Sequence, residues 1–384
     1  MDKINTKKTQ GQRKITFVDI KKKNYKDVYN YLYNNGSSSK QRIATSIDMS
    51  LPTVTTHLNK LMSKSLVRQG TLIPSNVGRR AVSYEIILDA YISIGVEIIQ
   101  KQVFISAIDL KGNEIARCII DIEYKNVDSY YEKISGLLNE FIDNEKFDVS
   151  KILGIGFTLE GLVSTDRKSI SWGKILENTG LNVEVFQKHL APDCYFMHDP
   201  KCAAFSEIWG RKELKNAIYL SLSHHLGSSI ILDGKTYSGA HSMGGIIEHS
   251  TLHPDGLACY CGKKGCADPY CSLDTLTSDD ETFAEFFERK SAREKDAVDR
   301  WRNFLKDLAS LINNTAMLLD VEVILGGHAA KYLIEEDLHI LSNLIKDITA
   351  FPDNIPTISI AKYQSNAIPT GAALIIISEF LENL

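Results

Sequence analysis

Apolar residues in the first quarter of the chain recur with helical spacing and then switch to alternation. Tyr25, Val28, Tyr29 and Leu32 stand at i, i+3, i+4 and i+7, and Gly36 ends the run, which predicts a helix. A second short helix is expected from about Ser39, with Ile43, Ala44 and Ile47 on one face. Asp48-Met49 reads as a tight turn. Ser50 then reads as the N-cap of a third helix that tolerates Pro52 in its first turn and buries Val54, Leu58 and Leu61. The opposite face of that helix is expected to show Thr53, Thr56, His57 and Lys60. Leu66–Leu72 and Ala81–Ile87 alternate like strands around the loop 74–80, which carries Arg79 and Arg80 at its base. Three helices followed by a β-ribbon is the order of a winged helix-turn-helix. In that motif the third helix enters the major groove and an Arg-bearing wing reaches a narrow minor groove. Ser50, Thr53, Thr55, Thr56, His57, Lys60, Arg79 and Arg80 are the expected DNA-contacting residues.

The pattern changes after residue 88. Tyr91–Ile99, Val103–Leu110 and Glu114–Ile122 read as strands, with Lys111-Gly112-Asn113 as a turn. An amphipathic helix over about Ser129–Glu145 follows, and then a strand over Ile152–Phe157. A weaker version of this order recurs after residue 216, where Ala217–Leu222 and Ser229–Leu232 read as strands and Asp233-Gly234-Lys235 as a hairpin turn. Two α/β halves of this kind predict a two-lobed body with a ligand-binding cleft between the lobes. The expected division is residues 1–88 and residues 89–384.

Charge separates the same two parts. The formal net charge of −4 hides 16 Lys and Arg against 5 Asp and Glu in residues 1–88, a balance of +11. Residues 89–384 hold 28 basic against 43 acidic residues, a balance of −15. A basic head on an acidic body points to nucleic acid for the head and another task for the body. A hydrophobic fraction of 43% excludes a disordered chain. No apolar run approaches 18 residues and no signal-like core follows Met1, so a cytoplasmic protein without membrane contact is expected.

Three of the seven cysteines, Cys259, Cys261 and Cys266, fall within eight residues on a Gly-rich stretch. Three thiolates so placed can converge on one tetrahedral ion, zinc being expected, with one position left for a nitrogen. His249 is the natural fourth ligand and Cys271 its competitor. A second cluster, His198-Asp199-Pro200-Lys201, follows a probable strand over Cys194–Met197, with Glu207 and Trp209 beyond it. Asp199 is suited either to hydrogen-bonding a hydroxyl in a cleft or to capping a helix.

With these residues in place, the chain resembles the ROK family of repressors and sugar kinases over about residues 12–380, in its repressor branch. CYCGKKGC with the preceding GGIIEH resembles the family's zinc signature. Gly154-Ile155-Gly156 with Gly161-Leu162-Val163 resembles its sugar-loop motif. His198–Glu207 resembles the segment holding its catalytic Asp, and Val323–Ala330 its nucleotide-binding Gly-Gly turn. The resemblance implies an actin-like, two-lobed α/β body, sugar-kinase-like in fold, behind the winged helix-turn-helix, and a homodimer or homotetramer. It implies Asn178, His198, Asp199, His249 and Asp268 as effector contacts, and His249, Cys259, Cys261 and Cys266 as metal ligands.

The chain also departs from the family's kinases. Their Asp-x-Gly-Gly-Thr phosphate loop is matched against Ser93-Ile94-Gly95-Val96-Glu97, which lacks the Gly-Thr pair. Ser223-His224-His225-Leu226-Gly227 stands where a second Gly-rich phosphate loop is expected. Side chains there obstruct the approach of backbone N–H groups to phosphate. Ile246 replaces a sugar-binding Glu of the family, and Asp268 replaces another. These features predict a transcriptional regulator, a repressor of carbohydrate-utilisation genes, that binds double-stranded operator DNA. Its catalytically inactive sensor takes a sugar or sugar phosphate. The competing readings are an ATP-dependent sugar kinase that kept a DNA-binding head, and a regulator switched by a partner protein.

Overall fold

The helical spacing at the start of the chain is realised as the helix Phe17–Asn35, in a computed structural model that describes residues 17–73, 81–278, 281–363 and 366–384. Tyr25, Val28, Tyr29 and Leu32 form its buried stripe, and Gly36 leaves it with a positive φ of 74°. Two short helices follow, Lys40–Ser46 and Leu51–Ser63. Ser39 caps the first by accepting from Arg42 N at 3.3 Å, and Ser50 caps the second by accepting from Thr53 N at 3.3 Å. Val54, Leu58 and Leu61 are fully buried, as the spacing predicts. The strands Ser38–Ser39, Ala81–Ile86 and Val67–Ile73 form a three-stranded sheet in that order. The loop 74–80, with Arg79 and Arg80, lies outside the described residues.

The chain divides into two compact units, Met1–Ala90 with Phe380–Leu384, and Tyr91–Glu379. The C-terminal pentapeptide, which the sequence pattern assigns to the body, belongs with the first unit. Lys26 Nζ donates to Glu382 O there at 2.8 Å.

The larger unit holds two five-stranded sheets of matching construction. In the first, Cys194–Met197, Ile152–Leu159 and Ile92–Ile98 run parallel, and Gln102–Asp109 and Glu114–Asp121 extend the sheet antiparallel. In the second, Ile358–Ile360, Glu322–Gly326 and Ala217–Leu222 run parallel, and Leu226–Leu232 and Lys235–Thr236 complete it antiparallel. Asp233 and Gly234, at φ 52° and 72°, make a two-residue hairpin turn, and Lys235, expected in the turn, instead begins the next strand. Parallel neighbours need a crossover, and the helix Asp128–Asn144 supplies one in the first sheet. It buries Ile134, Leu138 and Phe141 against Ile94, Val96 and Phe157. The long helix Lys295–Leu319 and the helix Glu335–Ile348 cover the second sheet in the same way. No helix of the described residues is long and apolar enough to cross a membrane.

Candidate functional site

Parallel strands end together, and the chain that leaves their carboxyl ends lines a crevice. Here the strand Ile92–Ile98 delivers Glu97 and Ile99, Ile152–Leu159 delivers Glu160, and Cys194–Met197 delivers His198 and Asp199. From the second sheet, Ala217–Leu222 delivers Ser221, Ser223 and His224, and Glu322–Gly326 delivers His328. All of them line one cavity of about 1150 Å³. Gly327 turns the last strand away at φ 74°, and a Cβ on it would lie 2.6 Å from Ser223 Oγ. The Gly-Gly turn therefore lets the two strand ends close on each other.

One side of the cavity is acidic. Burial raises the pKa of Glu97 to about 8, helped by Asp199 and Glu160. Burial and Glu160 raise Asp199 to about 7. Glu160 is raised mainly by burial, with His225 and His224 opposing. No Lys or Arg ion pair reaches these three carboxylates among the described residues. His198 Nδ1 is buried without a hydrogen-bond partner, and burial holds this imidazole neutral, with its pKa lowered to about 3. Asp199 begins the helix Asp199–Gly210, where neither it nor His198 makes a side-chain cap. The capping alternative is thus not realised, and Asp199 faces the cavity.

Another part of the wall is built by the cysteine loop, through Tyr260 and His249. His249, Cys259, Cys261 and Cys266 bring their ligand atoms within 4.8 Å of one another. Cys259 Sγ lies 3.6 Å from His249 Nδ1, and Cys261 Sγ lies 3.7 Å from Cys266 Sγ. Zinc–sulfur bonds of about 2.3 Å at tetrahedral angles require edges of about 3.8 Å. The cluster can therefore hold a metal ion of that size. Cys271 is buried in the short helix Asp268–Cys271, outside the cluster, so His249 is the fourth candidate ligand. Gly265 permits the tight loop: its φ is 76°, and a Cβ there would meet His253 O at 1.9 Å. Tyr260, between two of the cysteines, stands 5.1 Å from His249 and 5.9 Å from Trp172, ring to ring. These three rings line the cavity beside Glu248 and Ile246.

Several expected contacts are placed elsewhere. Asp268 is buried outside the cavity lining, where it accepts from Leu226 N at 2.9 Å and lies 3.6 Å from His225 Nδ1. It stands behind His225 instead of facing a ligand. Asn178 is fully buried, and neither side-chain polar atom has a hydrogen-bond partner; it does not line the cavity either. Ser93, matched by resemblance to the phosphate-loop Asp, is buried near the start of its strand and donates to Gly154 O at 3.2 Å. The cavity end of that strand is Glu97, four residues and about 13 Å further on. Glu207 and Trp209 brace the fold: Glu207 accepts from Tyr363 N at 2.9 Å, and Trp209 donates to Lys111 O at 3.0 Å.

His57 needs the same correction in the first unit. It is buried, edge-on to Tyr25 at 6.1 Å between ring centres, and so is not displayed with Thr56 and Lys60. A residue three positions before Lys60 shares its face only partly, and Tyr25 draws the imidazole inward. Thr53 is half-buried and bonds Ser50 Oγ at 2.7 Å, and Thr55 is half-buried. Thr56, Asn59, Lys60 and Ser63 are the exposed polar residues of this helix beyond its cap.

Glu160 and Trp172 lie outside the stretches that resemble family motifs, and Glu97, Glu248 and Tyr260 lie inside such stretches at positions for which the resemblance implies no role. The available sign was a lone acid at the end of an otherwise apolar run, as in Ile92–Ile99 and Ile152–Glu160.

Known proteins share both parts. Residues 93–379 match the ROK family, and residues 23–68 match a winged helix-turn-helix DNA-binding family. The chain is 26% identical over 261 residues to the DNA-binding transcriptional dual regulator NagC of Escherichia coli K12, covering 67% of this chain and 64% of that one. It is 25% identical over 269 residues to the xylose repressor of Bacillus subtilis, covering 67% of each. The match thus spans just under two thirds of the length of NagC. A solved ROK family transcriptional regulator, a homologue of the E. coli MLC protein, superposes with a TM-score of 0.76 at 18% identity over 95% of this chain and 97% of that one. A ROK glucokinase from Streptomyces griseus, solved with glucose and AMPPNP, gives a TM-score of 0.64 at 18% identity over 74% of this chain and 98% of its own.

Proposed function

We propose, on the premise that this chain belongs to the ROK family, that it is a DNA-binding transcriptional regulator, a repressor of carbohydrate-utilisation genes, with a sugar or sugar phosphate as effector. The observation that carries this reading is the presence in one chain of a winged helix-turn-helix and a cavity whose hairpin turns bear side chains. Ile99-Gln100-Lys101 and Ser223-His224-His225 line the cavity, and His224 Nδ1 is engaged with Asp274 at 2.7 Å. A triphosphate would need bare backbone N–H groups at such turns. Asp199 can accept a hydrogen bond from a ligand hydroxyl, but without a held phosphoryl donor it transfers nothing. Zinc is the ion we assign to His249 and the three cysteines. Closed coordination makes it structural: it holds His249 and Tyr260 against the cavity.

In this reading the protein binds a palindromic operator as a homodimer or homotetramer, and effector in the cavity alters lobe closure and hence operator affinity. A coupling of about 5- to 150-fold is expected. Band-shift titration of operator DNA with and without N-acetylglucosamine, xylose and glucose tests it. Operator affinity that no sugar or sugar phosphate changes overturns the effector assignment.

The recognition surface is assigned to Thr56, Asn59 and Lys60, with Arg79 and Arg80 from the wing. Lys60→Ala and Arg79→Ala/Arg80→Ala should each weaken operator binding. Each lost phosphate contact should flatten the dependence of log affinity on log salt by about 0.9. An unchanged slope in both variants removes these residues from the interface.

The kinase reading draws on the likeness to glucokinase and on the place of Asp199. ATP consumption with hexoses and amino sugars decides between the two. We expect none above the rate of an Asp199→Asn variant, and sugar-dependent turnover lost in that variant would establish a kinase.

A further inference from the structure

We propose that the turn 164–169 couples ligand in the cavity to the DNA-binding unit, through the ion pair between Arg167 and Glu379. The proposal rests on the reading of the cavity as an effector site. Glu379 stands in the C-terminal helix Ala367–Glu382. The first turn of this helix lines the cavity with Ile368, and its last residues belong to the DNA-binding unit. The helix packs closely near its start. A Cβ on Gly95 would lie 1.7 Å from Pro369 O, and one on Gly156 would lie 3.1 Å from the Ala372 side chain. A helix held in this way passes a displacement along its length instead of absorbing it.

The turn joins the short strands Leu162–Val163 and Ile170–Trp172, which line the cavity through Leu162, Ser171 and Trp172. Its own hydrogen bonds stiffen it: Ser164 N donates to Ser169 O at 2.9 Å, and Lys168 N donates to Asp166 Oδ1 at 3.1 Å. Thr165 Oγ1 lies 3.5 Å from Ser242 Oγ, between His241 and Met243, which line the cavity. Lys201 Nζ, from the helix that begins at Asp199, donates to Ser242 O at 3.1 Å. Arg167 has a φ of 60°, a left-handed conformation that residues with a Cβ adopt only where their surroundings hold them. Its carbonyl accepts from Phe196 N at 2.9 Å, on the strand that delivers His198 and Asp199. The backbone of Arg167 is thus tied to the cavity and its guanidinium to Glu379. A ligand that shifts the segment at Ser242 or the strand end at His198 acts on this turn. The ion pair hands the shift to the helix that ends in the DNA-binding unit.

The side chains of Arg167 and Glu379 are 33% and 47% exposed, so the pair adds little to stability and its loss leaves no lone buried charge. Arg167→Gln and Glu379→Gln should therefore fold. Each should bind DNA without sugar, and sugar without DNA, within about threefold of the wild type. What should change is the effect of one ligand on the other. Band shifts use the duplex that the wild-type chain selects from a random pool, with and without N-acetylglucosamine, xylose and glucose. The ratio of the two DNA affinities should shrink by about 3- to 10-fold in each variant. The reversed pair, Arg167→Glu with Glu379→Arg, should regain much of it. A wild-type ratio in both single variants overturns the proposal and leaves the effector reading intact. A wild-type chain whose DNA binding none of the three sugars changes overturns that reading and the proposal with it. Should a single variant fail to fold, the reversed pair decides: a restored ratio supports the ion pair as the link, and no recovery overturns it.

Discussion

Replacing Cys261 by Ser should strip the chain of its metal, lower the melting temperature of the larger unit by several degrees, and abolish sugar binding in the same step. The first effect follows from coordination. Four ligand atoms within 4.8 Å of one another leave no spare group to take over the vacated position. Structural zinc sites owe about 10–16 kcal/mol of apparent binding free energy to a full ligand set. The second effect follows because the loop from Cys259 to Cys266 has little apolar core of its own. Between the flanking cysteines it consists of Tyr260, Cys261 and the run Gly262-Lys263-Lys264-Gly265. The third follows from Tyr260 and His249, which are held against Trp172 only while the loop is closed. Metal analysis of the purified variant, about one ion per chain in the wild type, is the direct measurement. Cys118→Ser provides the comparison, since Cys118 lies on the edge strand Glu114–Asp121, outside the cluster. Full metal retention in Cys261→Ser removes this residue from the ligand set. Equal loss in Cys118→Ser shows that the metal sits elsewhere.

Glu97→Gln should stabilise the ligand-free protein, and only at neutral to alkaline pH. Burial, with Asp199 and Glu160 close by, raises the Glu97 pKa from 4.5 to about 8. The folded chain therefore holds a proton that the unfolded chain has released between those values. This group's contribution to stability is complete below pH 4.5 and is lost as pH rises through about 8. At full weight the shift corresponds to about 5 kcal/mol. Three carboxylates share the penalty and the cavity is open to solvent, so the substitution should return about 1–3 kcal/mol at pH 8.5. Near pH 4.5 the gain should vanish. Thermal or urea unfolding of both proteins at the two pH values measures the difference. An equal effect at both pH values, or destabilisation at pH 8.5, would show that Glu97 is not desolvated among like charges. Such a gain also means that this cavity gives up stability for its acidic lining, as functional sites commonly do.

Much of the architecture is written locally. The stripe Tyr25, Val28, Tyr29 and Leu32, the caps Ser39 and Ser50, and the turns at Gly112 and Asp233-Gly234 each depend on contacts within a few residues, and each is realised. The cysteine cluster is equally local: three ligands in eight residues leave a loop little freedom, so only the choice between His249 and Cys271 required the fold. The cavity is different. Glu97, Glu160 and Asp199 are separated by tens of residues and meet because three parallel strands end side by side. No periodicity records which neighbour a parallel strand takes. The same limit explains the corrections. Ser93 and Glu97 share a strand face, yet only the register against Ile152–Leu159 puts Glu97 at the open end and Ser93, bonded to Gly154 O, near the other. His57 lies on a helix whose pattern leaves it at the margin of the buried stripe, and packing against Tyr25 brings it inside. By itself the sequence determined two parts of opposite charge, much of their secondary structure and a cysteine loop able to hold a metal ion. These rest on short-range sterics, hydrogen bonds and the segregation of apolar faces. The tertiary structure alone decided which acids and imidazoles face one cavity, because that depends on strand order and register, and these are set by long-range packing.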